Sequence, residues 1–226
     1  MAFDALSLWN DGETKERILR FVRATTLEGS PTYVAPMDRI AVFDNDGTLW
    51  VEQPIYTQLT FALDRMAATA AEHPEWRADP ALAAALDRDI EQLAAHGLEG
   101  VAKIVAASHT GVSTEALVAN VREWIASARH PRFDRLYTDL IYQPQLQFME
   151  YLRAHGYRTY IVSGGGVEFM RAWVEDIYGI PPEQVIGSSV KTAYEVQNGR
   201  GVLMQLPEVD LVNDGPGKPV GINKFI

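Results

Sequence analysis

The run Ile40-Ala41-Val42-Phe43-Asp44-Asn45-Asp46-Gly47-Thr48-Leu49 constrains this chain most. Four apolar residues lead directly into two carboxylates spaced i, i+2, and then into a Gly-Thr turn. The run predicts a strand over about 39–44, buried on both faces. Side chains alternate along a strand, so Asp44 and Asp46 leave its end on one side, with Asn45 opposite. Gly47 lets the chain turn sharply. Open α/β sheets place ligands at the C-terminal tips of their strands. Desolvated carboxylates there are costly unless paired or bound to a cation.

Composition narrows the class. The 226 residues suffice for one large domain, or for a core with an insertion. With 47% hydrophobic and 22% charged residues, the chain is ordinary for a globular protein. A formal net charge of −10 argues against nucleic acid as a partner. The absence of cysteine removes disulfides, thiolate metal sites and cysteine nucleophiles. The N-terminus carries no secretory signal pattern and no apolar run approaches a membrane span, so a soluble, cytoplasmic protein is expected. No oligomer signal is readable.

Helices are predicted over about 11–25, capped by Asp11 or Thr14, and over about 145–154. From 51 to 135 the texture is Ala-rich, with helical patterns at Thr57–Glu72, Pro80–His96 and Ser113–Ala128 and no strand-like run; this reads as a helical insertion. A second strand is expected at Arg158–Val162, followed by one amphipathic helix carrying Val167, Met170, Trp173, Val174 and Ile177. Val185–Ser188 reads as a short strand, and Tyr194–Val196 with Val202–Gln205 as a hairpin turning at Asn198-Gly199. Strands alternating with helices imply a parallel sheet. The division is then a core of 1–50 and 136–226 around a helical cap at 51–135.

Three elements carry chemistry. Asp44 and Asp46 offer oxygen ligands for Mg²⁺, a nucleophile for phosphorus and a proton carrier, against the plainer reading of a solvated turn. Ser163-Gly164-Gly165-Gly166 offers a hydroxyl and approachable backbone to an anion, or is a simple turn with a Ser cap. Lys218, in the Asp214–Pro219 loop, can neutralise a carboxylate and a phosphate, or is a surface charge; Lys191 and Lys224 compete for that role. An EF-hand is excluded because Leu49 stands where its glycine belongs, and a dinucleotide fingerprint because Phe169 replaces its third glycine. Ile161 spoils a Gly-x-Ser-x-Gly elbow, and the histidines lack zinc-hydrolase spacing.

In order and spacing, Phe43–Thr48, Ile161–Gly165 and Gly217-Lys218-Pro219 resemble the first three motifs of the haloacid dehalogenase-like (HAD) hydrolases, nearest to the phosphoserine phosphatase-like branch. The resemblance implies a Rossmann-like core with a cap after the first strand. It makes Asp44 nucleophile and Mg²⁺ ligand, and Asp46 general acid/base and carbonyl ligand. Ser163 and the Gly164 N–H would hold the phosphoryl oxygens, and Lys218 would orient and neutralise. An acid at position 46 points to phosphomonoester hydrolysis of a small metabolite, with a phosphomutase or a non-catalytic ligand- or protein-binding member as alternatives. The family's fourth, acidic motif has no counterpart before Ile226, since Asp210 and Asp214 precede Lys218. The expectation is therefore a core lacking its C-terminal part, an unpaired edge beside the Asp44 strand, weakened Mg²⁺ binding and weak or absent turnover. The cap would close over the strand tips, with Tyr56, His109 and Arg129 as candidate substrate contacts.

Overall fold

The structure is a computed structural model and describes residues 6–226. In chain order the elements are α1 (Glu13–Thr26), β1 (Ile40–Phe43), α2 (Thr57–Thr69), α3 (Pro80–Asp87), α4 (Ile90–Ala95), α5 (Gly97–His109), α6 (Thr114–Ile125) and α7 (Gln143–Ala154). There follow β2 (Arg158–Gly166), α8 (Val167–Arg171), α9 (Val174–Tyr178), β3 (Val185–Gln197), β4 (Arg200–Leu211) and α10 (Gly217–Phe225). The fold is α/β. The strands lie in the order β1-β2-β3-β4, with β1/β2 and β2/β3 parallel and β3/β4 antiparallel. No described helix is long and apolar enough to cross a membrane.

The parallel strands need crossovers. The first is the long one, from β1 through α2–α7 to β2. Ala41 and Phe43 pack with Val22 of α1 and Leu152 of α7, while Ile40 joins Tyr160, Val162 and Ile186 on the other face. The expectation of a first strand buried on both faces is overturned. Val42 is 43% exposed, and the rest of β1 is only partly covered. Among the described residues β1 pairs with β2 alone, so one edge and part of one face stay open.

Inside the long crossover, α2–α5 and the turn Pro74–Ala78 share a small core of Leu63, Met66, Trp76, Leu93 and Ile104. Helix α6 belongs elsewhere: its Leu117, Val121 and Ile125 pack in the main cluster with Trp50, Ile161 and Trp173. Ser113 caps α6, accepting from the Ala116 N–H at 3.1 Å.

Several predicted elements differ. The helix expected over Pro80–His96 is two, because Arg88 ends α3 in a left-handed conformation and Asp89 caps α4. Helix α5 was not among the predicted ones: Gly97 and Gly100 weaken its intrinsic propensity, and packing of buried Ile104 overrides that. Helix α1 starts at Gly12 without a side-chain cap, since Asp11 pairs with Lys15 instead. The helix after Gly166 breaks at Ala172-Trp173, where Trp173 stacks on Trp50 at 4.3 Å.

The short strand and the hairpin strand predicted apart are one 13-residue strand, β3, with register shifts near Val190. Asn198 (φ 52°) and Gly199 (φ 77°) form the hairpin turn, whose two positive φ values suit the twist of the paired strands. The ribbon reaches back to the inserted helices. Gln205 N–H donates to Val112 O (2.9 Å), Gly111 N–H donates to Gln205 O (3.2 Å), and the Gln205 side chain donates to Thr114 Oγ1 at 2.9 Å. Replacing buried Gln205 with alanine should therefore cost about 1–3 kcal/mol and speed amide exchange over 111–114. An unchanged denaturation midpoint with unchanged exchange would show that this brace contributes nothing.

Candidate active site

Beyond β1 the chain folds on itself. Asn45 O accepts from Thr48 N–H (3.1 Å) and Leu49 N–H (2.8 Å), and Gly47 N–H donates to Trp50 O at 3.0 Å. Gly47 has φ 71°, a left-handed conformation that favours glycine, and a Cβ there would lie 2.7 Å from the Glu52 carboxyl carbon, so a side chain would also displace that carboxylate. Asn45 turns inward, 1% exposed, and accepts from the Tyr178 hydroxyl. Asp44 and Asp46 face the other way. Asp44 Oδ1 accepts from the Asn45 N–H at 2.8 Å, and Asp44 Oδ2 pairs with Lys218 Nζ at 2.7 Å.

Asp46 Oδ1 accepts from Trp50 Nε1 at 2.9 Å. Burial pushes the Asp46 carboxyl up to about 6; the Trp50 bond opposes this, and the charges of Asp44 and Glu52 add to it. The indole that holds Asp46 is itself fully buried and stacked on Trp173.

The second wall is the end of β2. Ser163 is 1% exposed; its Oγ accepts from Gly165 N–H at 3.1 Å, which leaves its own proton to be donated. Its carbonyl accepts from the Asn213 amide at 2.9 Å, and Gly164 O accepts from Ser188 Oγ at 2.8 Å. A Cβ on Gly165 would sit 3.4 Å from Ser163 Oγ, 3.4 Å from Gln58 Oε1 and 3.7 Å from Asp46 Oδ2. These groups thus converge on one point.

The third wall is the turn before α10. A Cβ on Gly217 would lie 2.0 Å from Val212 O, so the turn closes only with glycine there, and it delivers Lys218 to Asp44.

The structure therefore brings Asp44, Asp46, Ser163, Gly164 and Lys218 to one end of the sheet. Lys191 is exposed on β3 and Lys224 lies over the Phe225 ring, so neither replaces Lys218. Tyr56 stands beside the site: burial raises its hydroxyl, and Glu52, Asp46, Asp214 and Asp44 push it the same way. His109 is not a substrate contact here. It is buried between Ser108 and the Phe61 ring, and burial, aided by Arg65, lowers it to about 4. Arg129 is engaged by Asp134.

Three groups were missed. Asp214, set aside on sequence because it precedes Lys218, lies against Gly164, where a Cβ would meet its Oδ1 at 2.9 Å. Gln58 accepts from the Gly166 N–H at 2.6 Å across 108 residues, a contact without a local signal. Glu52, five residues on, folds back so that its carboxylate lies against Gly47. Asp210, in contrast, bonds Ser189 on the ribbon. Among the described residues no group of three or more His, Cys, Asp or Glu side chains is arranged to hold a metal ion.

The family model for haloacid dehalogenase-like hydrolases matches residues 41–210, from the first strand to the end of the ribbon. The chain belongs to this family. A conserved protein of unknown function from Anaerococcus prevotii is similar at TM-score 0.60 and 15% identity, over 94% of this chain and 76% of that one. One of unknown function from Bordetella pertussis Tohama I gives 0.53 and 19%, over 82% and 73%. A phosphoserine phosphohydrolase-like protein from Francisella tularensis gives 0.43 and 16%, over 82% and 71%. No curated protein matches the chain. At these identities the first two likenesses speak for the fold of this HAD hydrolase alone.

The raised Asp46 carboxyl has a consequence for stability. Its unfolded value is 3.8 and its folded value about 6, so the folded state holds the extra proton between them. Stability of the metal-free protein should fall as pH rises from about 4 to about 6, and stay lower above that. Asp46→Asn keeps an acceptor for Trp50 and removes the penalty. In chelator it should gain up to about 3 kcal/mol at pH 7.5 and nothing near pH 3.5. Denaturant titrations at both pH values check this; parallel wild-type and variant curves would refute the burial argument.

Proposed function

We propose that this HAD hydrolase is a Mg²⁺-dependent phosphomonoester hydrolase that acts on a small phosphorylated metabolite through an aspartyl-phosphate. The observation that carries the reading is the pair of neighbouring carboxylates with unlike environments. Asp44 is partnered by Lys218, whereas Asp46 is buried and favours its proton up to about pH 6. One acid is suited to attack and the other to proton transfer.

In the first step an Asp44 oxygen bonds to phosphorus while the ester P–O bond breaks, and the Asp46 proton passes to the departing alkoxide. In the second, Asp46 takes a proton from water as that water attacks phosphorus, which frees Asp44 and releases phosphate. Lys218 Nζ offsets the charge gathered on Asp44 and the phosphoryl group. The Ser163 hydroxyl donates to a phosphoryl oxygen.

The residues present suit Mg²⁺ on donor chemistry. Every candidate donor is oxygen: the Asp44 carboxylate, the Asp46 carbonyl and the nearby Asp214 carboxylate. Four acids, Asp44, Asp46, Glu52 and Asp214, act together on the Tyr56 hydroxyl. Mg²⁺ commonly takes one or two carboxylates, with waters and substrate phosphate completing its shell. When bound it supplies positive charge opposite the phosphoryl oxygens.

Phosphate release from a panel of phosphomonoesters, with and without Mg²⁺, tests the reading. Asp44→Asn should lower turnover roughly 10⁴-fold or more while ligand binding persists. Lys218→Met should lower it about 10²–10³-fold. Turnover surviving in Asp44→Asn would exclude the aspartyl-phosphate, and transfer to a sugar phosphate without free phosphate would mean a mutase.

A further inference from the structure

The segment from Glu52 to Gln58 joins the two halves of the site. At one end the Glu52 carboxylate abuts Gly47; at the other, Gln58 receives the Gly166 N–H. Tyr56 lies between them, its hydroxyl within the field of all four acids. From Glu52 and Tyr56 a groove of about 390 Å³ runs between α2, α4 and α5. Its walls are Ile55, Leu59, Leu93, Val101 and Ile104, and only Glu52, Gln53 and the Tyr56 hydroxyl bring polar side-chain atoms. No Lys, Arg or His is among its lining residues. At the rim Ile90 and Val101 are 41% and 42% exposed, apolar surface that a ligand would cover.

Resting on the hydrolase reading above, we propose that this groove receives the organic half of the substrate, and that this half is an uncharged apolar alkyl or aryl alcohol. Continuity decides the occupant, because Glu52 and Tyr56 line the groove and also border the acids that surround the phosphorus position. A phosphoryl group at Asp44 therefore points its ester substituent towards an apolar wall. A substrate carboxylate would meet Glu52 and no cation. Sugar hydroxyls would lose water without recovering partners. Each methylene buried there raises affinity roughly fourfold. The volume lies near the lower end for ligand clefts, which suits a short chain or a single ring.

Calorimetric titration of the full chain in Mg²⁺ with methylphosphonate and hexylphosphonate, which cannot be hydrolysed, reads the groove without turnover. Hexylphosphonate should bind at least about tenfold more tightly. Ile90→Glu and Val101→Glu, each at the exposed rim and so compatible with folding, should both collapse that ratio to about threefold or less. Equal affinities, no binding of either probe, or a wild-type ratio in both variants would overturn the proposal. Phosphate release from methyl phosphate, hexyl phosphate and phosphoserine, measured in parallel, separates the two failures. Release without chain-length preference sinks the groove assignment alone. Hexyl preference in binding with no release from any ester sinks the hydrolase reading alone.

Discussion

Trp50 is the contact on which the site depends. Its ring is fully buried, stacked on Trp173 and close to Tyr137, while its N–H holds Asp46. An indole has one donor, and burying it without a partner is costly. The same side chain thus fills the core and fixes a carboxylate at the sheet's end. The break between α8 and α9 lies where this stack forms. A continuous helix would be the easier local structure, and packing against Trp50 overrides it.

The electrostatics of the cluster follow from unequal compensation. Asp44 has an ammonium within 2.7 Å, whereas Asp46 has an indole N–H and like-charged neighbours. Burial therefore acts differently on two identical side chains only two residues apart. Such divergence is how one kind of carboxyl can serve in two roles. Asp214 and Glu52 add further negative charge at the same place, with Lys218 as the ion-pair partner of Asp44.

Much of this was legible in the sequence because it is local. The i, i+2 spacing announced which side Asp44 and Asp46 would take and that Asn45 would turn away. Ser113 as a cap and Asn198-Gly199 as a turn are decided by their own backbone neighbours. Lys218 was legible through the order and spacing of the three motifs, since a bracketed loop lysine by itself reads as a surface charge. What escaped depends on distant pieces meeting. Gln58 has no feature that foretells Gly166, 108 residues further along. Val42 looked interior because apolar strands in parallel sheets usually are; whether a neighbour covers it is a property of the sheet. His109 and Arg129 carry polar chemistry by type; burial against the Phe61 ring absorbs the first, and the neighbouring Asp134 engages the second.

The tie between the ribbon and the 111–114 loop limits how the inserted helices can yield. Helix α6 is fused into the main cluster, and the N-terminal end of α2 is fastened through Gln58. The insertion therefore cannot swing as one hinged lid. Helices α3, α4 and the leading turns of α5 rest instead on their own small nucleus. Any widening of the site's mouth would then be lateral, a sidewall yielding where the braced helices do not.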